Sequence, residues 1–353
     1  MNQEIKLAGK IINQKTAPYV IAEIGVNHEG SMAKAKKLIE LAKQGGADAA
    51  KFQTYKAERL ASKNSPSYWD TTKEGATNQF KLFKKFDNFG PDEYVKLADY
   101  CKQIGIDFVS TPFDDQAIDF LEPLVPFYKV ASADLTNKPF LIKIAEKGKP
   151  IVLSTGATTI GEIDQAIETL RSAGCSEISL LHCILNYPTG VSDANLGMIT
   201  GLKRCYPGKV IGYSDHTIPD SEMSALVAAY VLGARVIEKH FTDDKKKTGN
   251  DHYHSMDCND LAQFIQICAK VKSLIGENDN KHPIESENLA RKNAFRSIVL
   301  TKSISKGHKI SAEDITYKRP GSGISPLFWD DVLGRIVRLD LVEDHILQWG
   351  DLI

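Results

Sequence analysis

Lysine inside an apolar β-type run is costly unless its charge meets a counter-charge. This chain places Lys51 in AAKFQT and Lys129 in FYKVAS. The pair points to a doubly charged ligand, a phosphate or a phosphorylated carboxylate. Ser132, Ser154 and Ser214, near the ends of other runs, offer hydroxyls to complete an oxygen cradle. His216 and His240 close two successive runs, GYSDH and VIEKH. Two such imidazoles can share one divalent metal, which polarises a carbonyl or activates water. Glu23, in IAEIG, faces the same way and can serve as a carboxylate ligand or as a base.

Plainer readings stand beside these. A buried lysine can simply pair with Glu23 or Glu238. A lone strand histidine is often a hydrogen-bonded structural residue. His182 and Cys183 read as core filling; His252 and His254, in DHYHSMD, can be ligands too, but read first as flexible-loop histidines. Ser31 and Ser221 read as helix N-caps. The Gly45-Gly46 pair and the glycines at 321 and 323 fit turns, and the lysines 245–247 a solvated loop.

These residues need a frame. Short β-branched runs begin near Tyr19, Ala49, Asp107, Phe127, Pro150, Ile178, Val210 and Arg235, which makes eight. Amphipathic segments lie between them at 32–43, 94–103, 140–147, 163–172, 223–232 and 261–274. Several runs are apolar on both faces, as a covered parallel sheet requires. The pattern predicts an α/β fold, a (β/α)8 TIM barrel, with a doubly wound open sheet as the alternative. In such a barrel the chemistry sits at the C-terminal ends of the strands, where almost every run here ends in a polar group. Residues 55–89 form a long polar insertion with aromatics, of a length usually tied to function or mobility. The expected division is a catalytic barrel at 1–276, a partly helical linker at 277–295 and a small β-rich module at 296–353.

The formal net charge of −1 over 353 residues provides no global field for nucleic acid or an anionic membrane. Residues 1–14 contain no signal-peptide run, and no apolar stretch is long enough to span a bilayer. Six scattered cysteines, none in a C-x-x-C pair, read as reduced thiols of a cytoplasmic protein.

Taken together, the motifs IAEIGVNHEG, KFQTY, STPFD, KVASAD, LSTGA, YPT, GYSDHT, EKHFT and GND-HYHSMD resemble the sialic acid synthase family, which includes N-acetylneuraminate, legionaminate and pseudaminate synthases. The tail segments RSIVLTKSISKGHKIS and ITYKRPGSGIS resemble that family's C-terminal antifreeze-like, or SAF, domain. The resemblance implies condensation of phosphoenolpyruvate (PEP) with N-acetylmannosamine or a related acylated amino sugar, with phosphate released by C–O cleavage. It implies PEP contacts at Lys51, Thr111, Lys129, Ser132, Ser154 and Ser214, and a catalytic role for Glu23 beside Lys51 and Lys129. It implies Mn2+ or Mg2+ on His216 and His240, and sugar contacts at Gln53, Tyr187 and Asp251. It further implies a domain-swapped homodimer in which Arg319 of KRPG reaches the partner's sugar.

The chain departs from the family pattern at three places. Asp134 stands where an acidic Glu is expected, Asn186 falls one position after the expected asparagine with Leu185 in its place, and GND replaces GPD. Asp134 and Asn186 are therefore further sugar-facing candidates, and the acceptor sugar is open, with 2,4-diacetamido-6-deoxy hexoses as alternatives. Three rival functions were weighed. A synthase of 3-deoxy sugar acids would need a second phosphate cluster. A metal-dependent hydrolase would carry more ligands, such as H-x-H on the first strand. A non-catalytic carbohydrate-binding protein would use the tail module, which lacks a flat repetitive face.

Overall fold

The computed structural model describes residues 4–67, 69, 75–249, 251–276 and 278–353. Residues 1–3, Tyr68 and 70–74 of the insertion, Asn250 of the GND motif and Glu277 at the head of the expected linker lie outside the described residues. The chain forms two compact units, Met1–Glu277 and Asn278–Ile353.

The first unit opens with a hairpin of β1 (Glu4–Leu7) and β2 (Lys10–Asn13). Its two-residue turn holds Ala8 and Gly9 at positive φ, 48° and 84°, as the twist of a tight hairpin requires. Sequence reading passed over this element, although the alternation of E-I-K-L and the A-G turn signal it.

Eight strands follow: β3 (Tyr19–Gly25), β4 (Ala49–Thr54), β5 (Asp107–Pro112), β6 (Tyr128–Val130), β7 (Ile151–Ser154), β8 (Ile178–Cys183), β9 (Ile211–Asp215) and β10 (Val236–His240). They form one parallel sheet in the order β5-β4-β3-β10-β9-β8-β7-β6. The two end strands, β5 and β6, lie side by side, so the sheet curls into a near-closed barrel. The open-sheet alternative is therefore excluded.

The helices are α1 (Met32–Gly45), α2 (Ala57–Leu60), α3 (Gln79–Phe86), α4 (Pro91–Ile104), α5 (Asp115–Leu121), α6 (Lys138–Ala145), α7 (Ile160–Ser172), α8 (Gly197–Cys205), α9 (Ser224–Val231) and α10 (Cys258–Ile275). Ser31 caps α1 by accepting from the Lys34 amide, as expected. Ser221 caps nothing: α9 starts later, and the Asp220 carboxylate accepts from the Glu222 and Ser224 amides. No helix among the described residues is long and apolar enough to cross a membrane. All six cysteines are free thiols.

Two apolar clusters follow from the strand period of two. Residues pointing outward, such as Val20, Ala50, Tyr128, Leu153, Ile211 and Ile237, pack against the helices. Residues pointing inward at the strand starts, among them Tyr19, Ala49, Val109, Phe127, Val152, Val210 and Val236, cluster with Ile5, Leu7 and Ile12 of the hairpin. The hairpin thus packs on the apolar floor of the barrel. Above that floor the inward positions turn polar.

In the second unit, α11 (Asn288–Ala294) precedes β11 (Ser297–Leu300), which pairs antiparallel with β12 (Ile315–Lys318). Its own core gathers Ile298, Leu300, Ile310, Ile315, Val337 and Leu347. Buried Asp314 ties the module together, accepting from Ser311, His308 and Lys302.

Candidate active site

Strand parity decides which polar side chains meet. On β10 the inward positions are Val236, Glu238 and His240, while Ile237 and Lys239 face the helices. The same alternation brings Glu23, Lys51, Gln53, Thr111, Lys129, Ser154, Cys183, Ser214 and His216 to one cavity of about 610 Å³. Ser132, Asp134, Tyr187 and Asp251 line it from the loops that follow the strands. Gly212 permits β9 and β10 to approach closely, since a Cβ there would lie 2.3 Å from the Val236 carbonyl oxygen.

At the centre stands a buried charge cluster. Lys51 Nζ lies 2.5 Å from Glu23 and 3.7 Å from Glu238, and donates to Thr111 Oγ1 at 3.0 Å. Lys129 Nζ donates to Ser154 Oγ at 2.7 Å and lies 3.6 Å from Glu238. Ser214 Oγ donates to Glu238 at 3.0 Å, and Gln53 Nε2 to Glu23 at 2.9 Å. Ser132 Oγ accepts from the Gly156 amide at 2.8 Å. The plainer reading of the two lysines holds in part: Glu23 and Glu238 offset both charges. Glu238, which sequence reading treated only as a structural counter-ion, belongs to the cavity wall. Its signal was its spacing of two from His240.

The four charges do not titrate alike. Burial raises the Glu23 pKa above the ordinary carboxylate range; Lys51 acts against this, and the Glu238 charge adds to it. Burial also opposes Glu238, but Lys129 and Lys51 outweigh it and hold that carboxyl ionised. Burial lowers the Lys129 ammonium, which Glu238 only partly offsets. For Lys51, burial is outweighed by Glu23 and Glu238, so it stays charged. Glu23 is thus the carboxyl in the cluster best placed to exchange a proton.

A second group gathers at the mouth. His216 Nδ1 lies 2.7 Å from the Ile184 carbonyl, and Tyr187 packs over the ring at 4.1 Å between centroids. The His216 and His240 rings are 5.4 Å apart. Burial keeps both neutral; the His216 pKa falls to about 4, and that of His240 lies well below the usual value. His240 Nδ1 is 3.3 Å from Asp251. His252 and His254 are not exposed loop residues: both are fully buried on a single 3-10 turn, His252–His254. His240, Asp251 and His254 bring three ligating atoms within 4.8 Å of one another, a possible metal site. The donor set, neutral imidazole with carboxylate, fits a divalent cation.

Asn186 does not line the cavity. In that extended stretch Leu185 and Tyr187 face inward, and parity sends the side chain between them outward to solvent. Asp134 lines the wall beside Asn137, with its pKa raised by burial. Arg319 belongs to the second unit. Sequence reading did not foresee the apolar roof: Tyr55, Leu60, Leu82, Phe83 and Phe86 of the insertion line the cavity together with Phe113.

Comparison with known proteins agrees with the fold. A family model described as the NeuB family matches residues 38–280, and a SAF domain model matches residues 295–353. An N,N'-diacetyllegionaminic acid synthase of Legionella pneumophila is 37% identical over 338 residues, covering 94% of this chain and 93% of that protein. A human N-acetylneuraminate-9-phosphate synthase is 31% identical, covering 99% and 96%. A crystal structure of an N-acetylneuraminic acid (sialic acid) synthetase from Leptospira borgpetersenii, in complex with citrate, superposes with a TM-score of 0.72. It is 32% identical and covers 82% of this chain and 95% of that one. With the barrel matched over most of its length and the tail matched as a SAF domain, this chain belongs to the NeuB family.

Proposed function

We propose that this chain condenses PEP with an N-acylated amino hexose, forms a carbon–carbon bond and releases phosphate by C–O cleavage, giving a nonulosonic acid. The observation that carries the reading is the buried Lys51–Glu23–Glu238–Lys129 layer, open to a cavity whose mouth holds imidazoles and a carboxylate.

Lys51, Lys129 and the hydroxyls of Thr111, Ser132, Ser154 and Ser214 would hold the phosphate and carboxylate of PEP. A dianion brought beside the two lysines raises the local negative charge, which drives a proton onto Glu23, whose pKa is already raised. Glu23 would then orient the water that adds at C2 of PEP and manage its proton. A divalent cation, Mn2+ or Mg2+ by family resemblance, would polarise the open-chain aldehyde when held at the mouth. Gln53, Asp134, Tyr187 and Asp251 would meet the sugar. Family resemblance also supports a swapped homodimer, with Arg319 serving the sugar bound to a second copy, and a cytoplasmic site of action.

The cavity favours an acceptor without a phosphate. Lys51 and Lys129 are the only cationic side chains among the described lining residues, and the roof is apolar. Methyl and acetamido groups suit such a wall. Phosphate release from PEP by metal-stripped enzyme, with Mn2+ restored, tests the reading against N-acetylmannosamine, its 6-phosphate, 2,4-diacetamido-6-deoxy hexoses and mannose. Release that depends on both sugar and metal is expected, with the unphosphorylated acylated sugars ahead. A non-catalytic carbohydrate-binding protein would bind sugar and release nothing.

A further inference from the structure

The cation site resembles that of the family only in part. Resemblance assigns the ion to His216 and His240, yet these two do not form the tightest ligand cluster. That cluster is His240, Asp251 and His254, with all three ligating atoms within 4.8 Å of one another. The carboxylate sits between the rings: His240 Nδ1 is 3.3 Å from Asp251, and His254 Nε2 is 3.8 Å from its other oxygen. The two rings lie 4.9 Å apart between centroids. His216 stands 5.4 Å from His240 and 6.3 Å from His254 between ring centroids, and the Ile184 carbonyl against its Nδ1 orients the ring.

The turn that presents His254 is fixed on several sides. His252 bridges Thr242 Oγ1 at 2.7 Å and Glu29 at 3.1 Å. Asn27 accepts from the Asp251 amide and donates to Ser255 Oγ, which itself donates to the Asp251 carbonyl at 2.6 Å. These contacts hold the backbone on both sides of His254, and the side chain is fully buried. A fixed, desolvated imidazole beside a second imidazole and a carboxylate is the arrangement of a ligand set, not of a solvated loop.

We propose that His254 is a direct ligand of the mouth cation. His240, Asp251 and His254 then form a three-donor site that selects a borderline transition ion of the Zn2+ or Co2+ type over Mg2+. Donors on an ion at bonds of about 2.0–2.2 Å lie roughly 3.4 Å apart in a tetrahedron. Two imidazoles favour later transition metals, whereas Mg2+ prefers oxygen and water. The inference deepens the proposed function and rests on it only for the cation's role in turnover.

Direct metal binding tests it, with no PEP or sugar present. Chelator-stripped protein is titrated with Co2+, Zn2+ and Mg2+, reading affinity and the Co2+ absorption spectrum for wild type, His254→Ala and His254→Cys. Second-shell changes typically weaken metal affinity by about 10–100-fold, so losing a direct ligand should exceed about 100-fold for Co2+ and Zn2+. His254→Cys should regain Zn2+ affinity and add a thiolate-to-Co2+ charge-transfer band, which no structural role for His254 would produce. If His254→Ala does not fold, that band in the Cys variant decides: its presence supports the assignment and its absence overturns it. Wild-type affinity and spectrum in His254→Ala would overturn this inference and leave PEP turnover untouched. A wild-type protein that binds none of the three ions would overturn this inference, while Mn2+-dependent phosphate release tests the proposed function separately.

Discussion

Strand β10 contributes to two buried lysine–carboxylate systems, one on each face of the barrel wall, and the two are built differently. On the outer face Lys239 donates to Asp215 at 2.6 Å and to the Thr217 carbonyl at 2.6 Å. Asp215 also accepts from Tyr213, from the Thr217 amide and from Thr217 Oγ1. Nearly every lone pair there has a donor. One residue away on each strand, inside the barrel, Glu238 shares two lysines at 3.6 and 3.7 Å, and one of its oxygens has no hydrogen bond. The outer pair is satisfied and closed. The inner cluster is open to the cavity and unevenly paired, as a site awaiting a ligand would be. A single step in strand parity separates a closed clasp from a layer open to the cavity.

Breaking the outer pair should have the largest effect, and on stability. Asp215→Ala leaves Lys239 buried with only a carbonyl partner, which costs about 3–5 kcal/mol. Urea denaturation should show this loss, and His216 and His240, each next in sequence to a member of the pair, should bind metal more weakly. An Asp215→Ala protein as stable as wild type would erase the distinction between the faces.

The mirror-image change inside the barrel should leave stability nearly intact and remove turnover. Glu23→Gln is expected to bind PEP yet lose about 10²–10³-fold in kcat, by analogy with the loss of one preorganised transition-state donor. Its melting temperature should move less than that of Asp215→Ala. Unchanged kcat would remove Glu23 from the proposed mechanism.

A smaller, pH-dependent effect should arise at His28, near the mouth. Burial, aided by the Lys34 charge, lowers its pKa to about 4, and its Nδ1 accepts from the Gly30 amide at 3.1 Å. The unfolded chain takes up a proton near pH 6.5 while the folded one does not, so stability is lost as pH falls from about 6.5 towards 4. A shift of about 2.5 units corresponds to roughly 3 kcal/mol at full extent. His28→Phe keeps the stack on Phe89 and should flatten the stability–pH slope by about one proton in that window. Denaturation of the metal-stripped proteins from pH 4.5 to 7.5 reads it, and an unaltered slope would mean His28 is not held neutral.

Much of this was legible in the residues. All eight barrel strands fall within a residue of where β-branched runs placed them, because buried parallel strands leave a dense apolar mark. Helices α5 and α8 left a weaker one: α5 spans only seven residues, and α8 begins at Gly197 with no side-chain cap. Parity explains why Lys51, Lys129, Ser214 and His216 share one cavity, and would have brought in Glu238 and turned Asn186 away. It could not reveal the pairing among the four central charges, which depends on closure of the barrel across β3, β4, β6 and β10. Nor could it place His254, since a 3-10 turn has no long repeat to read, and its neighbours Ser255 and His252 are held by Asn27, Glu29 and Thr242, more than two hundred residues away in two cases.

The central claim is that water positioned by the inner layer adds at C2 of PEP and phosphate leaves by cleavage of the C–O bond. PEP labelled with 18O at the bridging oxygen tests it directly, in a wild-type reaction with the preferred acylated sugar and metal. The label is expected in the released phosphate. Label retained in the keto acid product would mean P–O cleavage and would contradict the account.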